Sequence, residues 1–128
     1  MLAAPDGGVV RIEVPDQTDR VYLISYLGRA STNWDSGLLG ELLAANFLNR
    51  ETNGSTLAVD RHADQFSLCY SEAVGALDPG RFAAIVEGFM ATATRWREQV
   101  AQAARTTTAA APPPVDEDRA APELMFRA

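Results

Sequence analysis

Few side chains in this sequence could do chemistry, and their spacing argues against it. His62 is the only histidine and Cys69 the only cysteine. A thiol nucleophile needs a base within hydrogen-bond reach. These two residues lie close in sequence on one expected hairpin, so a small hydrolase using Cys69, or a serine, is the enzymatic reading to weigh. The alternative for Cys69 is a small semi-buried thiol opposite a solvated loop. Ser31, Ser36 and Ser71 all stand outside any G-x-S-x-G elbow. Gly7-Gly8 precedes a strand rather than joining strand to helix, so it is no phosphate loop. Carboxylates are plentiful, yet no close pair marks acid–base work. A zinc site would need further Cys or His ligands at suitable spacing. Trp34 and Trp96 suit core or interface anchors better than ligand stackers. No catalytic constellation, metal site or cofactor is expected, which leaves binding as the class of function.

The composition narrows what could be bound. Acidic residues number 17 against 11 basic ones, and every basic residue is Arg. The arginines are scattered, so no basic stripe exists for a phosphate backbone and nucleic acid is not an expected partner. Acidity favours solubility and a neutral or basic partner. A single cysteine excludes an intrachain disulfide and suits a reducing compartment. No run approaches the roughly 20 apolar residues of a membrane-spanning helix, and the start lacks the basic and apolar regions of a secretory signal. A cytoplasmic protein without membrane insertion is expected.

The elements that would position a binding surface follow from periodicity. Residues 8–14 alternate Val10, Ile12 and Val14 with Arg11 and Glu13, a half-buried strand. A polar turn at 15–19 leads to a second strand at 20–27, giving an antiparallel hairpin. A helix is expected over 36–49, with Asp35 or Ser36 as cap and Leu38, Leu39, Leu42, Leu43 and Asn46 as its stripe. Strands at 55–60 and 65–72 form a second hairpin across residues 61–64. A long helix over 79–104 starts from Asp78 as cap and Pro79 at its first position. Its stripe is Phe82, Ile85, Val86, Phe89, Met90, Ala93, Trp96 and Val100. The expected organisation is one domain over 1–104 and an Ala/Thr/Pro-rich acidic tail over 105–128. Such a tail buries too little apolar surface to offset its ordering entropy, so disorder is expected; Leu124, Met125 and Phe126 are read as part of that unstructured end, with a short docking motif as the alternative.

The second strand carries the functional signal. Val21, Leu23 and Leu27 point to one face and Tyr22, Ile24 and Tyr26 to the other. An antiparallel sheet in a small protein ordinarily faces water on one side, and here both sides are apolar. Either a loop of the same chain or a partner chain covers the second face.

These elements, in this order, resemble the type III secretion chaperones of the CesT (Tir chaperone) family. The likeness rests on Leu42-Leu43-Ala44-Ala45-Asn46, on Thr56-Leu57-Ala58-Val59-Asp60 followed by Phe66-Ser67-Leu68, and on Leu77-Asp78, Phe82, Phe89 and Trp96-Arg97. Ile12-Glu13-Val14-Pro15 and Val21-Tyr22-Leu23 are similar to members that escort large effectors. The likeness spans residues 8–104. It implies an α+β fold, a small antiparallel sheet with helices packed on it in the order ββαββα. The family's first helix and strand have no counterpart ahead of the first hairpin. It further implies a homodimer that holds a type III effector in extended form. Dimer candidates are Leu38, Leu42, Leu43, Asn46, Leu57 and Val59, each of which is alternatively plain core. Effector-groove candidates are Val10, Ile12, Tyr22, Ile24 and Tyr26. The alternative on the same scaffold is a YbjN-like regulator or adaptor without a secretion role.

Overall fold

The structure, a computed structural model, describes residues 1–34 and 36–109. The Asp35 cap and most of the expected tail lie outside the described residues.

Five strands form one antiparallel sheet: β1 (Leu2–Ala3), β2 (Val9–Glu13), β3 (Arg20–Arg29), β4 (Thr56–Asp60) and β5 (Gln65–Ala73), in spatial order β1-β2-β3-β5-β4. Helix α1 (Ser36–Ala45) joins β3 to β4, and α2 (Pro79–Ala109) follows β5. The expected α+β sheet-and-helix architecture is what forms, with the two-residue β1 added in front.

Register decides which residues meet α2. Cross-strand pairs in an antiparallel sheet share a face. Leu23 pairs with Ile12 and with Tyr70, Ser25 with Leu68, and Leu57 with Leu68. This face packs under α2, whose Val86, Phe89, Ala93, Trp96 and Val100 join Val10, Leu23, Leu27, Phe66 and Leu68 in one core. Leu38, Leu42 and Ala45 of α1 and Leu57 of β4 complete it. Val100 is set against Gly28, where φ is +150° and an added Cβ would fall 2.8 Å from Val100 Cγ1. Only glycine lets helix and strand approach so closely.

Both helix ends depart from expectation. Helix α1 stops at Ala45 instead of continuing to residue 49, because Leu48 (φ 56°) and Asn49 (φ 53°) are both left-handed. Consecutive left-handed residues cannot extend a right-handed helix. Helix α2 starts as expected, the Arg81 amide donating to Asp78 Oδ1 at 2.8 Å. It runs to Ala109 rather than 104, so residues 105–109 belong to the helix and not to a tail.

The segment before β2 is tied down from the far end of the chain. Arg97 reaches from α2 to Asp6 (2.8 Å), Ser25 Oγ (2.7 Å) and the Tyr26 carbonyl (3.4 Å). A Cβ on Gly8 would lie 2.1 Å from Arg97 Cζ, so the guanidinium rests on a bare glycine. The Arg97 hydrogen bonds hold the Asp6 carboxyl down at about 2.

Candidate functional site

Among the described residues, two apolar surfaces remain once the core is assembled. The first is the sheet face turned away from α2. Val9 and Arg11 of β2, Tyr22, Ile24 and Tyr26 of β3, and Ser67, Cys69 and Ser71 of β5 lie on it by register. Tyr22, Ile24 and Tyr26 are half-buried, against near-complete burial of Val21, Leu23 and Leu27. Among the described residues no helix covers this face. Tyr26 is braced: its Oη donates to Asp60 Oδ2 at 2.6 Å, and Arg11 Cζ lies 5.4 Å from its ring centroid. That hydrogen bond, helped by the Ala63 amide, lowers the Asp60 carboxyl below its usual range. A depression of about 410 Å³ lined by Met1, Val9, Arg11, Ile24 and Tyr26 opens beside it.

The second surface is a groove of about 390 Å³ between α1 and β4, lined among others by Trp34, Leu39, Leu43, Val59 and Phe66. The Trp34 ring stacks on Phe66, with centroids 6.2 Å apart and planes within 8°. Phe66 is buried, yet Trp34 stays 58% exposed and Leu43 72% exposed. The left-handed turn after α1 also leaves Phe47 and Leu48 in water. Exposed Trp34 and Leu43 thus leave an apolar patch along the groove.

The structure separates the expected site residues. Tyr22, Ile24 and Tyr26 stay together on the open face. Val10 and Ile12 do not join them: Ile12 pairs with Leu23 on the α2 face, and Val10 is fully buried in the core. A one-residue step in a strand reverses the face, so Val9, 46% exposed, takes the place given to Val10. Among the dimer candidates, Leu38, Leu42 and Leu57 are core, while Leu43 and Val59 face outward. Asn46 has an intramolecular task. Its Oδ1 accepts from the Leu57 amide at 2.8 Å and its Nδ2 donates to the Leu57 carbonyl at 3.0 Å. It thereby satisfies the outward backbone amide and carbonyl of Leu57 on edge strand β4, groups that a free edge would present unpaired.

Sequence reasoning missed Val9, Arg11, Phe47 and Leu48. Val9 and Arg11 were legible as the other phase of the same alternation. Nothing local signalled that the helix would break and expose Phe47 and Leu48.

Cys69 and His62 are not brought together. Cys69 sits on β5 four residues beyond the Asp60–Gln65 pair that closes the hairpin, about 13 Å along the strand. His62 is exposed in the loop. The imidazole therefore cannot take the thiol proton. Among the described residues no three His, Cys, Asp or Glu side chains gather to hold a metal, and no helix is long and apolar enough to cross a membrane.

The model of the Tir chaperone protein (CesT) family matches residues 2–97. Solved structures share the fold, two of them from complexes. One is from the HopA1-SchA chaperone-effector complex, with a TM-score of 0.62 and 16% identity over 76% of this chain and 73% of that one. The other is from the ExsC-ExsE complex, with a TM-score of 0.64 and 15% identity over 77% of this chain and 73% of that one. No curated protein matches the sequence.

Proposed function

Because the chain belongs to the Tir chaperone protein (CesT) family, we propose that it is a type III secretion chaperone of the bacterial cytoplasm. It binds the amino-terminal segment of an effector and keeps that segment soluble and competent for export, without a cofactor. The observation that carries this reading is the open sheet face, where Val9, Tyr22, Ile24 and Tyr26 form an apolar ridge over which, among the described residues, no helix lies. An extended chain laid on such a ridge places alternate side chains against it. Ordering that chain costs about 2–5 kcal/mol. At about 25 cal/mol per Å² of apolar surface, roughly 80–200 Å² of burial offsets that ordering cost alone. The fold neighbour from a chaperone-effector complex supports the same assignment.

The groove between α1 and β4 takes a second copy of the chain, giving a homodimer with Trp34, Leu43 and Val59 at its interface. In this arrangement α1 and the β4 edge stand against their own counterparts across a twofold axis.

The test is co-expression with the products of neighbouring genes. The native chain solubilises and co-purifies with one of them, and Ile24→Asp, folded by circular dichroism, does not. If the chain never solubilises a neighbouring product, the escort role is lost. Solution mass tests the dimer separately, with Leu43→Asp expected to give a folded monomer.

A further inference from the structure

Helix α2 runs along β3 from its start to its end. Arg81 near the helix start bonds Glu72 at 2.6 Å, and Glu72 pairs with Val21 near the beginning of β3. Val100 meets Gly28 near the other end. The nine residues from Val100 to Ala109 therefore carry the helix about 14 Å past that point. This is the end at which β3 leads into the turn Ser31–Asn33 and Trp34, one wall of the α1–β4 groove. Fourteen residues lie between Ala109 and Leu124, a reach of up to about 50 Å. The chain can return over that gap.

We propose that Leu124-Met125-Phe126 docks into the α1–β4 groove of its own subunit. Chemistry as well as reach selects this occupant. The groove presents Trp34, Leu39, Leu43, Val59 and Phe66, and the three residues offered to it are all large and apolar. The approach is charged in the matching sense. Asp116, Glu117 and Asp118 precede the apolar triplet, and Arg61 rims the adjoining depression that shares Trp34 and Val59 with the groove. Among the described residues Arg61 pairs with no carboxylate. The Asp64 carboxylate beside it is already taken by the Ser31 amide and hydroxyl, at 2.9 and 2.6 Å.

Docking in this groove competes with the second copy placed there under the proposed function. A tethered segment has an effective concentration on the order of millimolar. With an intrinsic affinity also about millimolar, each groove is half covered. A dimer needs both grooves free, so its apparent dissociation constant rises about fourfold.

The experiment uses the full chain and its Leu124→Ser/Phe126→Ser double variant, both checked by circular dichroism. Trp34 fluorescence is read at concentrations where the chain is monomeric; Trp96 is 4% exposed and gives a constant background. The native chain emits further to the blue than the double variant, and Arg61→Glu falls between them. Identical emission from native chain and double variant overturns the docking. Sedimentation then compares dissociation constants, with the double variant expected about fourfold tighter. A chain that never dimerises refutes the dimer reading alone, because the fluorescence comparison does not require a dimer.

Discussion

Replacing Asn46 by Ala separates two roles for one residue. The carboxamide makes both of its bonds to Leu57, at 2.8 and 3.0 Å, and Leu57 is only 7% exposed. Truncation removes two hydrogen bonds worth about 1 kcal/mol each and strands an amide and a carbonyl near the core, at about 1–3 kcal/mol per group that stays dry. Water entering from the α1–β4 groove rehydrates part of that pair, so the expected loss is about 2–3 kcal/mol. For a chain of this length that is a fall in Tm of about 8–12 °C. The assay is urea and thermal unfolding at two protein concentrations a hundredfold apart. A latch within the subunit gives the same loss at both. A residue acting only through a dimer interface gives a loss that depends on concentration, because association is linked to stability by mass action. A loss below about 0.5 kcal/mol at both concentrations refutes the latch.

The neighbouring leucines of α1 should behave oppositely: Leu42→Ala costs about 2–5 kcal/mol through a core cavity, whereas Leu43→Ala stays within about 0.5 kcal/mol in the monomer, both read by urea unfolding. Arg97→Ala frees the segment before β2, expected to cost about 2 kcal/mol and to deprotect the β1–β2 amides in hydrogen exchange. Asp6 has a folded value of about 2, below its ordinary 3.8. Its stabilisation is therefore complete above the ordinary value and lost as pH falls through the folded one. Asp6→Asn should flatten that acid limb of the stability–pH curve and leave the neutral region parallel. Gly28→Ala places a Cβ against Val100 at a left-handed φ, with an expected loss of about 1–3 kcal/mol; Val100→Ala in the same chain should recover only the steric part.

Periodicity is a local property, and what depends on it was legible in the chain. The alternation through residues 8–14 and 20–27, the apolar stripe of α2 and the Asp78-Pro79 start all become the elements they suggest. So does the two-faced character of β3, since successive side chains of a strand must point to opposite sides. The family resemblance was readable for the same reason, being a matter of order and spacing along the chain.

Tertiary structure alone decided which side of each element is covered. Val10 and Ile12 carry the same apolar signal as Ile24, yet the pairing of Ile12 with Leu23 sends them under α2 and leaves Ile24 on the open face with Arg11. The adjacent Leu42 and Leu43 differ in burial because α1 meets β4 along one side only. Asn46 reads as a polar interruption of a helix stripe until β4 arrives to claim both ends of its amide. Arg97 finds Asp6 across 91 positions of sequence. Each of these rests on a strand register or a helix placement fixed by contacts between distant residues, which no local window contains.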